Sequence, residues 1–179
     1  GGLAGTMDDV WSVCGFDEPT EPDSLEATVM AQLDRRAWTD CAEVLALGTK
    51  TDQKNAAALR AIAANPAATL ADCLAALFTE KGEGTPATWV AKTSGLKSRE
   101  QLRMFLLSEQ DRLEQARDQM RAAQVAIDTG SALILANAYL TAYGIEKSSS
   151  GSLDFSDLIE KTRDLVASRP MAAWVLFKL

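Results

Sequence analysis

From Leu102 to Ile127 the chain places an apolar residue at nearly every third or fourth position. Leu102, Leu106, Leu113, Ala116, Met120, Ala123 and Ile127 fall on one stripe, and Glu109 interrupts it. Residues three and four apart share a face of an α-helix, so this spacing predicts a long helix lying against partner elements. The other face carries Arg99, Arg103, Arg112, Arg117 and Arg121 among acids. Glu114–Arg117 and Asp118–Arg121 are favourable i,i+3 pairs, whereas Glu114–Asp118 is a like-charge i,i+4 pair. This arginine row reads first as a solvated, salt-laced face; contact with DNA or with another subunit is its other reading.

The remaining segments also read as helices. Asp23 or Ser24 is expected to cap one with Val29, Leu33 and Ala37 inward, and Thr39 or Asp40 the next, through Cys41, Val44, Leu45 and Leu47 to Gly48. An Ala-rich helix over 52–64 ends at Asn65-Pro66, because the residue before a proline is driven out of the helical region. Thr69 to Asp72 and Ser98 to Gln101 both have capping-box spacing. Residues 81–96 look irregular, anchored by Trp89 and Val90, and Thr129-Gly130 permits a break or a kink. Leu133, Ala136, Leu140 and Tyr143 continue helical spacing up to a turn at Ser148–Gly151. Ser152 or Asp154 then caps a helix with Phe155, Leu158, Ile159, Thr162, Leu165 and Val166 inward. No stretch alternates as a strand does, and no repeat has a fixed period. The expected fold is therefore all-α, an irregular multi-helix domain with one long helix. Its expected parts are a loose acidic arm (1–23), a helical accessory domain (24–147) and a helical return segment (148–179). Within the arm, Val10, Trp11, Val13 and Phe16 could pack as a short helical piece.

Composition closes off several chemistries. There is no His, and Cys14, Cys41 and Cys73 are far apart. Imidazole-based catalysis is excluded and no metal-ligand spacing exists, so reduced thiols of a cytoplasmic protein are expected. No run of about 18 uninterrupted apolar residues suggests a membrane span. The net charge of -7 is concentrated at one end: residues 1–30 hold Asp8, Asp9, Asp17, Glu18, Glu21, Asp23 and Glu26 and no Lys or Arg. The rest is neutral, which predicts weak or no nucleic-acid binding by this chain alone, since phosphate affinity comes from many neutralising bases. Leu47-Gly48-Thr49-Lys50-Thr51 lacks the glycine spacing and the preceding strand of a phosphate loop. Asp8/Asp9 and Asp154/Asp157 are acid pairs short of the further carboxylates that a metal cluster needs. Catalytic, cofactor-binding and metal residues are thus expected to be absent from this chain.

One segment resembles a known family. Gly151, Leu153, Asp154, Phe155, Asp157, Leu158 and Ile159, preceded by Tyr139 or Tyr143 and by Lys147, resemble the stretch of UvrD/Rep-type superfamily 1 DNA helicases that returns from the inserted 1B subdomain to the first motor domain. Ser156 stands where that family has an acid. Trp174–Leu179 resembles the run before the family's Mg²⁺-binding strand, and with no polar tail after it the chain is expected to be part of a larger protein. The Ala/Leu-rich run over 25–80, the Thr85–Lys97 loop and the Arg/Glu-rich helix resemble more narrowly the alphaproteobacterial AddA family, the helicase–nuclease subunits of AddAB. The resemblance implies an ATP- and Mg²⁺-dependent DNA helicase with nuclease activity, acting in double-strand-break repair and recombination and paired with AddB. It also implies that Asp154, Phe155 and Leu158 tie subdomain 1B to the motor, with every catalytic group outside residues 1–179. The acidic arm departs from what a DNA contact would need. The other reading is a free-standing helical protein-interaction domain.

Overall fold

The structure, a computed structural model, describes residues 3–167 together with Phe177. The helices among them are α1 (Leu3–Val13), α2 (Pro22–Ala31), α3 (Arg35–Ala46), α4 (Lys50–Ala64), α5 (Leu70–Leu77), α6 (Trp89–Lys92), α7 (Ser94–Lys97), α8 (Glu100–Ser150) and α9 (Phe155–Ala167), with a 3₁₀ turn over Glu80–Gly82. The described residues contain no sheet; one isolated bridge pairs Phe78 with Pro86. The all-α reading and the single long helix are what the structure shows. The closing run Trp174–Leu179 lies outside the described residues, apart from Phe177.

Two compact units divide the chain, residues 1–130 and 131–179. The division falls within α8. Burial explains it. The last buried residue of α8 is Gly130, and beyond it only Leu133 and Lys147 are even half-buried.

In the first unit α3 and α4 form an antiparallel pair that α5, α7 and the first half of α8 cover. Trp38, Cys41, Ala42 and Leu45 are fully buried at the 3-4 spacing of one helical face. From the expected stripe of α8, Leu106, Leu113, Ala116 and Ala123 are buried, and Leu102, Met120 and Ile127 pack at its margin. Val90 and Leu96 are also fully buried, so the expected irregular segment is two short helices pinned to the core.

Helix starts show which side chains win the orphan N–H groups. Thr69 and Asp72 form the expected capping box, and Thr49 with Asp52 forms another. Asp52 also accepts the Thr93 hydroxyl at 3.1 Å, fastening α4 to the segment before α7. Asp34 accepts from the N–H groups of Arg36 and Ala37 and opens α3 there. That cap splits the expected Val29–Leu33–Ala37 helix and leaves Thr39 inside α3, its hydroxyl donating to Arg35 O. Neither Asp23 nor Ser24 caps α2, which opens at Pro22 with its φ already helical. α8 opens at Glu100, one residue too late for a Ser98 cap, and the Ser98 hydroxyl instead donates to Gly95 O. At the far end of α4, Arg35 donates to Ile62 O, Ala63 O and Asn65 O, satisfying final carbonyls with a cation.

The expected loose arm is mostly helix. Trp11 of α1 is buried with Ala123 and Ala126 in a second small core. Gly130 is there for contact and makes no break: a Cβ on it would come within 2.5 Å of Met7 Cε.

Burial pushes the thiols of Cys41 and Cys73 up to about 12, whereas Cys14 is half-buried. One thiol per native chain should therefore react with maleimide at neutral pH, and three after denaturation; mass spectrometry reads both. Thr69→Ala should lower stability by about 1 kcal/mol, while Ser98→Ala stays within about 0.5 kcal/mol. Urea unfolding would reverse this reading if Ser98→Ala cost the more.

Candidate functional site: an apolar seam and its lysine clasp

The second unit holds the motif that the sequence singled out. Three serines close α8 by turning their hydroxyls back on its carbonyls: Ser148 onto Gly144 O, Ser149 onto Glu146 O, and Ser150 onto Glu146 O. Gly151 follows at φ +65°, the left-handed conformation that glycine adopts without penalty. Ser152 N–H donates to Lys147 O and Gly151 N–H to Ser148 O, which is a Schellman stop.

Asp154, and not Ser152, then caps α9. Its Oδ1 accepts from Asp157 N–H at 2.9 Å, and Asp157 Oδ2 accepts from Asp154 N–H at 2.9 Å. Between the two carboxylates lies the ammonium of Lys147, 2.8 Å from Asp154 Oδ2 and in direct ion pairing with Asp157. It also sits over the Tyr143 ring at 5.1 Å, and Tyr143 stacks nearly parallel to Tyr139, centroids 6.1 Å apart. Tyr139, Tyr143 and Lys147, matched by resemblance alone in the sequence, thus form one ladder of α8. Its last member clamps the turn into α9.

This arrangement accounts for the acid pair. Lys147 supplies the cation that Asp154 and Asp157 face, and among the described residues no group of three or more His, Cys, Asp or Glu could hold a metal ion. The hydrogen bonds from Lys147 hold both carboxyls below the usual carboxylate range, helped by the backbone N–H each accepts. The two carboxylates in turn raise Lys147.

Around the clasp the surface is apolar and uncovered. Leu135 is 72% exposed, Tyr139 66% and Phe155 78%; Ile134, Leu140, Ile145, Leu153, Leu158 and Ile159 are exposed as well. Leu133, Ile134 and Leu135 are consecutive, so apolar side chains surround α8 here instead of forming one stripe. A helix apolar on all sides is normally buried. By length and composition alone this part of α8 also qualifies as a membrane crossing, the one such helix among the described residues.

The arginine row divides by location. Arg112 makes a bidentate pair with Glu109, both bonds 2.8 Å, and donates to Val29 O at 2.9 Å. Arg117 lies over the Phe78 ring at 5.3 Å and donates to Gly84 O at 3.0 Å and Glu114 at 3.1 Å. These two side chains hold α8 to the body of the first unit. Arg103 pairs with Glu100, Arg121 lies 3.9 Å from Asp118, and Arg99 is exposed beside the start of α8. No continuous row of free guanidinium groups exists, because the two central members face inward.

No family model, no curated protein and no solved structure matches this chain.

Arg112→Met should destabilise the chain by about 3 kcal/mol or more, because it strands the buried carboxylate of Glu109. Arg99→Ala should stay within about 0.5 kcal/mol; comparable urea midpoints for the two variants would refute the assignment. For the clasp, lowered carboxylate pKa values mean that its contribution is present above about pH 4 and fades as pH falls through the depressed values. The raised ammonium works at the opposite end. It contributes fully below about pH 10 and loses its effect as pH climbs through its folded-state value. NMR titration should find Asp154 and Asp157 acidic in the native chain and nearer ordinary values in Lys147→Met. Identical titrations in both would remove the clasp.

Proposed function

We propose that this chain is the helical accessory region of a UvrD/Rep-like superfamily 1 DNA helicase of the AddA type, with unit two forming the seam to the motor domain. One observation carries the reading: the motif Gly151–Ile159 folds into a clasped corner whose apolar side chains, Phe155, Leu158 and Ile159, remain uncovered. A seam residue needs both properties. Its backbone must be fixed before docking, so that little conformational entropy is lost on contact, and its apolar face must be open.

In this role the chain is non-catalytic. It braces the motor, guides DNA or contacts the AddB partner subunit, within a cytoplasmic enzyme of double-strand-break repair and recombination. ATP and Mg²⁺ belong to the motor, and nuclease chemistry to a further domain. The apolar part of α8 is covered by protein in this reading, not by lipid. DNA contact through the chain rests on Arg99, Arg103 and Arg121, since Arg112 and Arg117 are engaged with the body. It is correspondingly weak in the isolated chain.

The genomic reading frame is the first test. The proposal requires a phosphate loop encoded upstream and an Asp-Glu box downstream. A frame closing soon after Leu179 leaves the free-standing interaction domain instead. The purified chain should turn over no ATP, with or without DNA, and robust turnover would overturn the proposal. In the longer protein Phe155→Asp should uncouple ATP hydrolysis from unwinding, with the helical content of the chain unchanged by circular dichroism.

A further inference from the structure

The acidic end of the chain has no part in the seam, yet its surroundings are built. At the end of α1 the chain reverses through Gly15, whose φ is +88°, with Gly15 N–H donating to Ser12 O and Phe16 N–H to Trp11 O. The reversal sets Phe16 edge-on against Trp11, centroids 5.6 Å apart at 82°. Beside this pair a groove of about 630 Å³ opens toward α8. Cys14, Phe16, Leu25 and Ala122 give it apolar walls, and Gln115 and Gln119 line it as well. Its one charged lining residue is Asp118, which faces Arg117 at 3.2 Å and Arg121 at 3.9 Å.

Between its lining residues Phe16 and Leu25 the chain carries four acids and no base. Asp8, Asp9, Asp17, Glu18, Glu21 and Asp23 are all exposed, and none enters an ion pair among the described residues. Glu26 alone is occupied, accepting Leu70 N–H at 2.8 Å at the start of α5. Arg117 and Arg121 are balanced by Glu114 and Asp118, so they do not offset the six free carboxylates.

We propose that this groove docks a basic amphipathic helical segment of a partner protein. The apolar walls demand apolar anchors at helical spacing, as in helix-in-groove recognition. The unpaired carboxylates demand Lys or Arg beside those anchors and repel both nucleic-acid phosphate and anionic lipid. The inference stands independently of the helicase reading, because it uses neither the seam nor its motif.

Cys14 lines the groove and supplies a reporter, since the other two thiols are buried. The probe is a short helical peptide of Leu and Lys at amphipathic spacing, followed by fluorescence anisotropy and by the rate of Cys14 alkylation in the full 179-residue chain. Binding should protect Cys14, and should weaken about tenfold or more in D17N/E18Q/E21Q/D23N, whose substituted residues are exposed. It should also weaken as salt rises, with a Debye length of about 10 Å at 0.1 M. A peptide of equal charge with its leucines scattered should not protect. The proposal is overturned if Cys14 reacts equally fast with and without the amphipathic peptide. Equal affinity of the quadruple variant, or equal protection by the scattered peptide, overturns it too. Self-association that protects Cys14 without peptide would assign the groove to a second copy instead.

Discussion

The first unit depends on a carboxylate where its longest apolar stripe should be unbroken. Glu109 is buried, accepting Trp38 Nε1–H at 3.1 Å and the two guanidinium donors of Arg112. Arg112 passes the connection to Val29 O in α2, and the neighbouring Gln110 donates to Leu77 O at the end of α5 and to Ala87 O. One turn of α8 is thereby tied to α2, α3, α5 and the segment before α6. A buried ion pair adds little net stability against apolar residues of equal volume, because desolvating both charges costs several kcal/mol. Its effect lies in register. Sliding α8 by one turn would carry Glu109 and Arg112 together away from Trp38 and Val29 O, and Gln110 away from Leu77 O and Ala87 O, whereas leucines tolerate such a slip.

This cluster also marks the limit of what the sequence discloses. The stripe of α8 was legible because 3.6-residue periodicity is a one-dimensional property, and the Thr69–Asp72 box because its donors and acceptors are local. Glu109 was visible only as an exception. Its indole partner lies 71 residues away, and no pattern in the chain announces that contact. The arginines illustrate the same point. Spacing placed Arg112 and Arg117 on an outer face, but the elements that meet that face, α2 and the segment around Gly84, are remote in sequence. Ser98 failed as a cap for a related reason: α8 opens at Glu100, after the two short helices pinned to the core, and capping-box spacing carries no information about where that packing lets the helix begin.

At the candidate seam the balance differs. The turn and the cap at Asp154 are local, so the sequence disclosed them, down to the choice between two capping residues. What it could not disclose was that Lys147 reaches the carboxylates of both Asp154 and Asp157, converting an apparent acidic site into an ion-paired corner. The apolar residues of 155–159 were expected to face inward. They are exposed in this chain, and the expectation fails for want of a covering surface, not for want of amphipathic spacing.

Charge is therefore separated by use along the chain. Where charges meet at the core of the first unit and at the α8–α9 corner, they are paired within hydrogen-bond distance and fix geometry. Among the acids left unpaired in residues 8–23, four fall between Phe16 and Leu25, which both line one groove. Unpaired acids concentrated without any base repel one another, so folding alone gives no reason to gather them. Their cost is modest at an exposed surface, where water and salt screen them. A cationic partner would remove that repulsion and gain attraction at once. By contrast, the apolar surface of residues 133–159 carries few charges beyond the clasp, and its complement must be shaped, not charged. The two surfaces thus call for different partners, one recognised by charge around an apolar anchor and the other by burial alone.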